Sequence, residues 1–268
     1  MPESTLTAKA DPKPLGSYRR RIELATRNVA DAAKEARIAI EDDHHHFRIS
    51  VSGKDGLVTK VAAQTLRTPN QMCPSAASHL DELEGKPLDG SYVAVLGLTD
   101  IRQHCTHLVE MASLGMVMLA RDLPRRIYEV EVRYDADAGR PNESRSTATL
   151  WRDGDQILQW RIDRMAITDP DPFAGRSVIN GFMRFVTELD NETAEAALVL
   201  RRAVFTSLGR GMNLDAPDAP RTGPGGQCWA WQPERADRAL RNIGSTLDFD
   251  MNPAALTVDD RAWIGFDG

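Results

Sequence analysis

The sequence predicts an α+β protein made of two pseudo-repeated halves, each of antiparallel strands with helices packed on one face. Three observations predict this. Apolar and polar residues alternate over several short runs. Strong turn signals join those runs in pairs. The order strand, hairpin, helix, helix occurs twice along the chain.

In order, residues 1–16 are expected to be a disordered arm, with Pro and Lys and no apolar run of the kind a secretory leader needs. The first α+β half spans 17–122. Its first strand is expected over Tyr18–Arg27, and the Ala-rich residues 29–36 are expected to form a short helix or a linker. His46–Val51 alternates, with Phe47, Ile49 and Val51 on one face and His46, Arg48 and Ser50 on the other. The turn Gly53-Lys54-Asp55-Gly56 then leads to a strand over Leu57–Arg67, closing a hairpin. Helices are expected over Ser75–Leu83 and Asp100–Ala120, the second capped by Thr99 or Asp100. The second half, 123–209, runs through a strand at Arg126–Tyr134 and a hairpin of Thr147–Trp151 with Ile157–Ile167. Helices follow near Ser177–Leu189 and over Glu192–Leu208. Residues 210–268 are Gly-, Pro- and Asp-rich at first. They are expected to wrap the body as a tail, with a short helix near Glu234–Asn242 and tryptophans as anchors.

Composition excludes several function classes. With 33 Lys and Arg against 39 Asp and Glu, the net charge of −6 disfavours a phosphate-tracking nucleic-acid surface. The basic clusters Arg19–Arg21 and Arg125–Arg126 read as solvated strand ends. No apolar run is long enough to span a bilayer. Three cysteines, Cys73, Cys105 and Cys228, give no disulfide framework. A reduced, cytoplasmic setting is expected. The sequence has no Walker loop, no dinucleotide fingerprint and no nucleophile elbow, so no cofactor is expected. The expected partner is a small-molecule substrate, with homodimerisation left open.

Chemistry concentrates in the histidines. Five of the six lie in two places: His44, His45 and His46 after Asp42-Asp43, and His104 and His107 around Cys105-Thr106. Read as strand residues, His44 and His46 share one side and His45 the other. Read as helix residues, His104 and His107 share one face. Acids beside imidazoles set tautomers and pKa values, which acid–base catalysis requires. The candidate catalytic residues are therefore His45 and His107, as base and acid, with His44, His46, His104 and Arg102. Met72, Cys73, Asp100, Thr106 and Met111 are candidates for contacting substrate. Two rival readings remain. In one, His44, His46, His104 and His107 ligate a metal, although no His-Glu-x-x-His or paired Cys-x-x-Cys is present. In the other, Cys105, near a helix N-terminus that lowers a thiol pKa, is a nucleophile. A third alternative is a non-catalytic binding module with structural histidines.

Several motifs in fixed order carry a resemblance: Asp42-Asp43-His44-His45-His46-Phe47, Cys73-Pro74-Ser75-Ala76, Leu83-Glu84-Gly85-Lys86-Pro87-Leu88, and Asp100-Ile101-Arg102-Gln103-His104-Cys105-Thr106-His107-Leu108. Over about residues 18–120 the chain resembles a bacterial domain family of unknown function. That family's pattern reads Asp-x-His-His-x-Phe, Cys-Pro-x-Ala, Leu-x-Gly-x-Pro-Leu and Asp-x-Arg-x-x-Cys-Thr-His-Leu. Pro69-Asn70 departs from the family's Pro-Trp, a change expected to open space in a pocket. The chain also resembles bacterial phenylcoumaran γ-formaldehyde lyases, which act on lignin-derived aromatics. That resemblance implies cofactor-free carbon–carbon cleavage with release of formaldehyde, with Arg102 or a Tyr at the oxyanion.

Overall fold

The structure, a computed structural model, describes residues 15–212, 228–236 and 238–267. It is a mixed α+β fold on one eight-stranded sheet, ordered β4-β3-β2-β1-β5-β6-β7-β8. The strands are β1 (Ser17–Asn28), β2 (Lys34–Asp42), β3 (His46–Lys54), β4 (Leu57–Arg67), β5 (Arg125–Tyr134), β6 (Arg145–Arg152), β7 (Asp155–Asp163) and β8 (Ala166–Asp169). Every neighbouring pair is antiparallel. Each half is thus a four-stranded meander followed by helices, and β1 and β5 join the halves at the centre of the sheet.

The helices are α1 (Tyr92–Leu96), α2 (Thr106–Ala120), α3 (Phe182–Val186), α4 (Asn191–Ser207), α5 (Pro233–Ala236) and α6 (Arg261–Ile264). The two long ones, α2 and α4, cover one face of the sheet. They run antiparallel, since His107 meets Thr206 and Glu110 meets Arg202. On that face β1 presents Tyr18, Ile22 and Leu24, β2 presents Ile38 and Ile40, β3 presents Phe47, Ile49 and Val51, and β5 presents Tyr128, Val130 and Val132, all buried. Gly115 of α2 lets the helix close on β2 and β3: a Cβ there would lie 2.7 Å from Ile38. Among the described residues no helix is long and apolar enough to cross a membrane.

The C-terminal residues 245–267 lie on the opposite face of β1–β3. Thr257 bonds Glu41 and Glu23, Asp260 takes His46 and Arg48, and Arg37 stacks on Trp263. This cover explains why β2 is buried on both faces. Trp263 serves as an anchor here, as its amphipathic ring suits.

Several expected elements differ. Residues 29–33 form a turn and 34–42 form β2, because β-branched and apolar side chains at Ile38 and Ile40 find a core on one side and the C-terminal segment on the other. The helix expected over Asp100–Ala120 is broken. Asp100 caps one 3₁₀ turn, Ile101–Gln103, and His104 is extended before α2 begins at Thr106. The run Ile157–Ile167 is two strands, split at Arg164 and Met165, both at positive φ. The segment Ser75–Leu83 lies within a 3₁₀ helix. Among the described residues only 182–186 is α-helical within Ser177–Leu189, and only 233–236 near Glu234–Asn242. Most of the expected N-terminal arm and the Gly/Pro-rich stretch 213–227 lie outside the described residues.

Candidate active site

The last rung of the β1–β2 ladder pairs Arg20 with Asp42. Both side chains project to the helix face, where Arg20 is 2% exposed and Asp42 0%. Beyond Asp42 the chain turns rather than continuing as strand. Asp42 Oδ1 accepts from the backbone N–H of His44 (2.8 Å) and of His45 (2.9 Å). This is an Asx turn, which a short carboxylate side chain favours. The strand alternation expected for the triplet therefore fails for His44 and His45, and only His46 is in β3.

The turn aims His45 back over its own carboxylate. His45 Nδ1 lies 3.1 Å from Asp42 Oδ1, so in this network Nδ1 carries the proton and Nε2 the lone pair. The His107 ring from the first turn of α2 lies 4.1 Å from the His45 ring, centroid to centroid. Arg20 Nη2 reaches His107 Nε2 at 3.1 Å, Asp42 Oδ2 at 2.7 Å and Thr206 Oγ1 at 2.8 Å. A guanidinium only donates, so His107 Nε2 accepts and the proton sits on Nδ1. Arg20 Nε also donates to the Tyr18 hydroxyl, at 2.9 Å.

Electrostatics separate the groups. Burial alone would raise the Asp42 pKa, but His45 and Arg20 beside it outweigh that and hold it well below the carboxylate range. Burial, with His45 and Arg20 adding to it, pushes His107 well below the usual imidazole range. His107 is a neutral ring and a hydrogen-bond donor at neutral pH. Tyr18, buried, is held well above the phenol range.

His44 is close by but engaged differently. Its ring packs so tightly against Gly209 that a Cβ there would collide with Nε2, and neither ring nitrogen has a hydrogen-bond partner. Burial pushes its pKa down to about 3, against the pull of Asp42. Asp43 turns away to Arg210, 2.5 Å from Nη1, and accepts from the Phe249 N–H. Burial and Asp42 push Asp43 up to about 7 in spite of Arg210.

The remaining candidates separate. His46 points to the opposite sheet face and bonds Asp260 at 2.8 Å. His104 bonds Thr99 and Glu82 and does not share a helix face with His107, because α2 starts after it. Arg102 and Asp100 are exposed and paired with each other at 3.0 Å, so Arg102 lies outside the cluster. Cys105 is the N-cap of α2, but burial overrides the helix field and pushes its thiol up to about 12, so it is no thiolate nucleophile. Cys73 and Met72 pack together near Cys228 and Trp231. Thr106 is buried at the start of α2. Met111 lines a cavity of about 10 Å³ beside His107, Arg20, Glu110 and Arg202, room for roughly one water.

Sequence reasoning missed Tyr18, Arg20, Thr206 and Arg202. The signal for Arg20 was present: Tyr18, Arg20, Ile22 and Leu24 share one alternation face, so Arg20 stands on the apolar side and is no solvated strand end. Thr206 and Arg202 have no local signal, since only the antiparallel packing of α4 on α2 brings them in. The cluster therefore lies between the halves.

No curated protein matches the chain. Residues 20–119, from β1 through most of α2, are similar to the family model described as "Protein of unknown function (DUF2889)", and the matched stretch includes Arg20, Asp42, His45 and His107.

Proposed function

We propose that Asp42, His45, His107 and Arg20 form the acid–base centre of a cofactor-independent lyase acting on a small hydrophobic substrate. One observation carries this reading. Two imidazoles stand 4.1 Å apart, one held by a carboxylate and the other by a guanidinium. A carboxylate on Nδ1 orients an imidazole with Nε2 free to take a proton. A buried neutral imidazole backed by an arginine donates a hydrogen bond to developing negative charge.

The resemblance to phenylcoumaran γ-formaldehyde lyases supplies a reaction of that type. His45 Nε2 takes the proton of a primary alcohol, and the adjacent carbon–carbon bond breaks to release formaldehyde. The electron pair left on carbon expels a phenoxide, and the proton held by His45 returns to it. His107 acts through its Nδ1–H on the developing anion. This revises the acid role expected for it, because burial keeps the ring neutral.

A Gln side chain keeps an N–H donor for Asp42 in place of His45 Nδ1, so His45→Gln is expected to leave the thermal transition nearly unchanged. Turnover of a phenylcoumaran-type alcohol, read as formaldehyde released, should fall by about 10²–10⁴-fold in this variant. His107→Gln should lower it in the same range. Full activity in both variants sinks the reading, and large unfolding shifts with no activity in the parent protein favour a binding module.

A specific observation favours a second reading. Ligand atoms of Asp42, His45 and His107 all lie within 4.8 Å of one another, a spacing that suits a divalent ion. Against it, Arg20 already donates to both Asp42 and His107, placing a fixed positive charge on two of the three ligands. Elemental analysis of protein purified without a metal column decides: a stoichiometric metal lost in Asp42→Asn establishes the metal site.

A further inference from the structure

The turn that aims His45 is held from behind by Arg67, the last residue of β4. Arg67 pairs with His46 in the β3–β4 ladder, so the two side chains share the sheet face opposite α2 and α4. From there the Arg67 guanidinium reaches the backbone of the turn. Nη2 donates to Asp42 O at 2.6 Å, with Glu41 Oε1 at 3.2 Å and His45 O at 3.3 Å. Nη1 donates to Asp43 O at 3.0 Å and to Ser245 O at 3.1 Å. Ser245 belongs to the C-terminal segment, whose Phe249 ring lies 5.9 Å from the guanidinium. The turn is polarised to match. The N–H groups of His44 and His45 point at Asp42 Oδ1, and the carbonyls of Asp42, Asp43 and His45 converge on Arg67. A carboxylate in front and a guanidinium behind thus hold the same peptide groups, both through charge-assisted hydrogen bonds.

We infer that Arg67 is the positioning residue of His45: it fixes the backbone of the turn and, through it, the imidazole over Asp42. Resting on the lyase reading, it sets where the base stands. The hydrogen bonds of Arg67 go to carbonyls and to Glu41, not to an imidazole, so it acts through the turn. The His45 side chain is short, and its ring goes where the backbone aims the Cα–Cβ bond. Three carbonyls of separate peptide groups are collected by one rigid, planar fork of N–H donors, which a guanidinium has. An ammonium gathers its hydrogens on a single atom and cannot span them. The hold of Arg67 on Ser245 O ties the docked C-terminal segment to the same support. Displacing a reacting group by about 1 Å costs on the order of 10²-fold in rate, so a loosened turn is expected to show in turnover before it shows in binding.

Arg67→Lys tests this in the full chain. With kinetics normalised to folded protein, kcat for formaldehyde release should fall by roughly 10²-fold while KM stays within about twofold. Arg67→Ala leaves room for a small cation. Added guanidinium, kept below denaturing concentrations, should raise its kcat by about tenfold or more, and methylammonium should not. A second readout does not depend on turnover. In ¹⁵N-labelled protein, the His45 Nδ1–H held by Asp42 should give a ring signal that disappears in His45→Gln and weakens in Arg67→Lys, while the His107 ring signal stays in place. An Arg67→Lys protein with the kcat and the His45 signal of the parent overturns the inference. So does guanidinium that fails to restore folded Arg67→Ala. If neither variant folds, the parent decides. A guanidinium held at both Nη atoms turns slowly and gives separate Nη1 and Nη2 resonances, and one averaged Arg67 signal overturns the inference. The two claims separate cleanly: these signals test the positioning role alone, and an active His45→Gln counts against the lyase reading alone.

Discussion

In the first half, the rung before the β2–β3 turn is Arg20–Asp42, and the helix that starts above it brings His107. In the second half, the corresponding rung before the β6–β7 turn is Tyr128–Arg152, and the helix that starts above it brings Glu192 and Glu195. Each place also receives the far end of the other long helix: Thr206 from α4 at the first, and Arg121 just past α2 at the second. The chemistry differs. The second place is a closed ionic cluster. Glu195, 1% exposed, takes the Tyr128 hydroxyl, Arg126 and Arg121, and Glu192 takes Arg121 and Arg152. The first place has one buried ion pair and two imidazoles in contact. The fold offers two equivalent positions, and of the two only the first holds imidazoles, the side chains whose charge changes near neutral pH.

The largest expected effects test that contrast directly. Asp42→Asn leaves Arg20 buried and short of its carboxylate, and should cost about 3–5 kcal/mol in urea unfolding together with turnover. Glu195→Gln should cost a comparable amount but leave turnover per folded molecule within about twofold, since kinetics normalised to folded protein separate loss of fold from loss of transition-state stabilisation. If Glu195→Gln destroys activity while folding normally, the second cluster is not merely structural and the contrast breaks.

Next is the contact between the Asx turn and the end of α4. Gly209→Ala drives a Cβ into His44 Nε2, and overpacking of this kind costs about 1–3 kcal/mol. Adding His44→Ala should recover most of that loss. A double-mutant cycle with no coupling means that the ring is not held by Gly209.

The pH dependence is expected to divide between neighbours in the same turn. His44 ionises near 6.5 when unfolded and near 3 when folded. Its stabilising contribution is therefore complete above pH 6.5 and is lost as pH falls towards 3, and His107 adds the same sign. Asp43 goes from 3.8 unfolded to about 7 folded, so its contribution is greatest below pH 3.8 and is lost as pH rises towards 7. Between about pH 4 and 6 the two oppose. Relative to the parent, His44→Leu should tilt stability against pH downwards by about 1.4 kcal/mol per unit, and Asp43→Asn should tilt it upwards. Urea midpoints across that range read the slopes, and equal slopes in both variants refute the assignment. The second cluster holds no histidine to enter this balance, which belongs to the first place.

These contrasts also show what the sequence made legible. The repeated order of strands and helices was visible because alternation and turn residues are local. So was the pairing of the Asp42–His46 run with the His107 run, since both carry clustered titratable residues. What stayed hidden depended on three-dimensional closure. Strand β2 is buried on both faces, so its Arg37 and Glu41, which alternate with Ile38 and Ile40 as solvated residues would, lie instead under the C-terminal segment. His45 was aimed by an Asx turn, which strand alternation does not describe. His104 was separated from His107 by a helix that begins at Thr106. Thr206 enters from about a hundred residues away in sequence, so nothing near the histidines announces it.

The smallest expected effect tests the rung itself. Arg152 holds the position that Asp42 holds in the first half, but its side chain is 23% exposed and its partner Glu192 is 46% exposed. An exposed pair exchanges solvation for attraction almost evenly and is worth about 0.2–1 kcal/mol. Glu192 would also keep Arg121 as a second cation. Arg152→Gln should therefore shift the urea midpoint only slightly, and raising salt should shrink even that shift. A loss as large as that of Asp42→Asn would mean that the two rungs bear the same load. Burial would then not be what sets the first place apart, and the distinction would rest on the imidazoles alone.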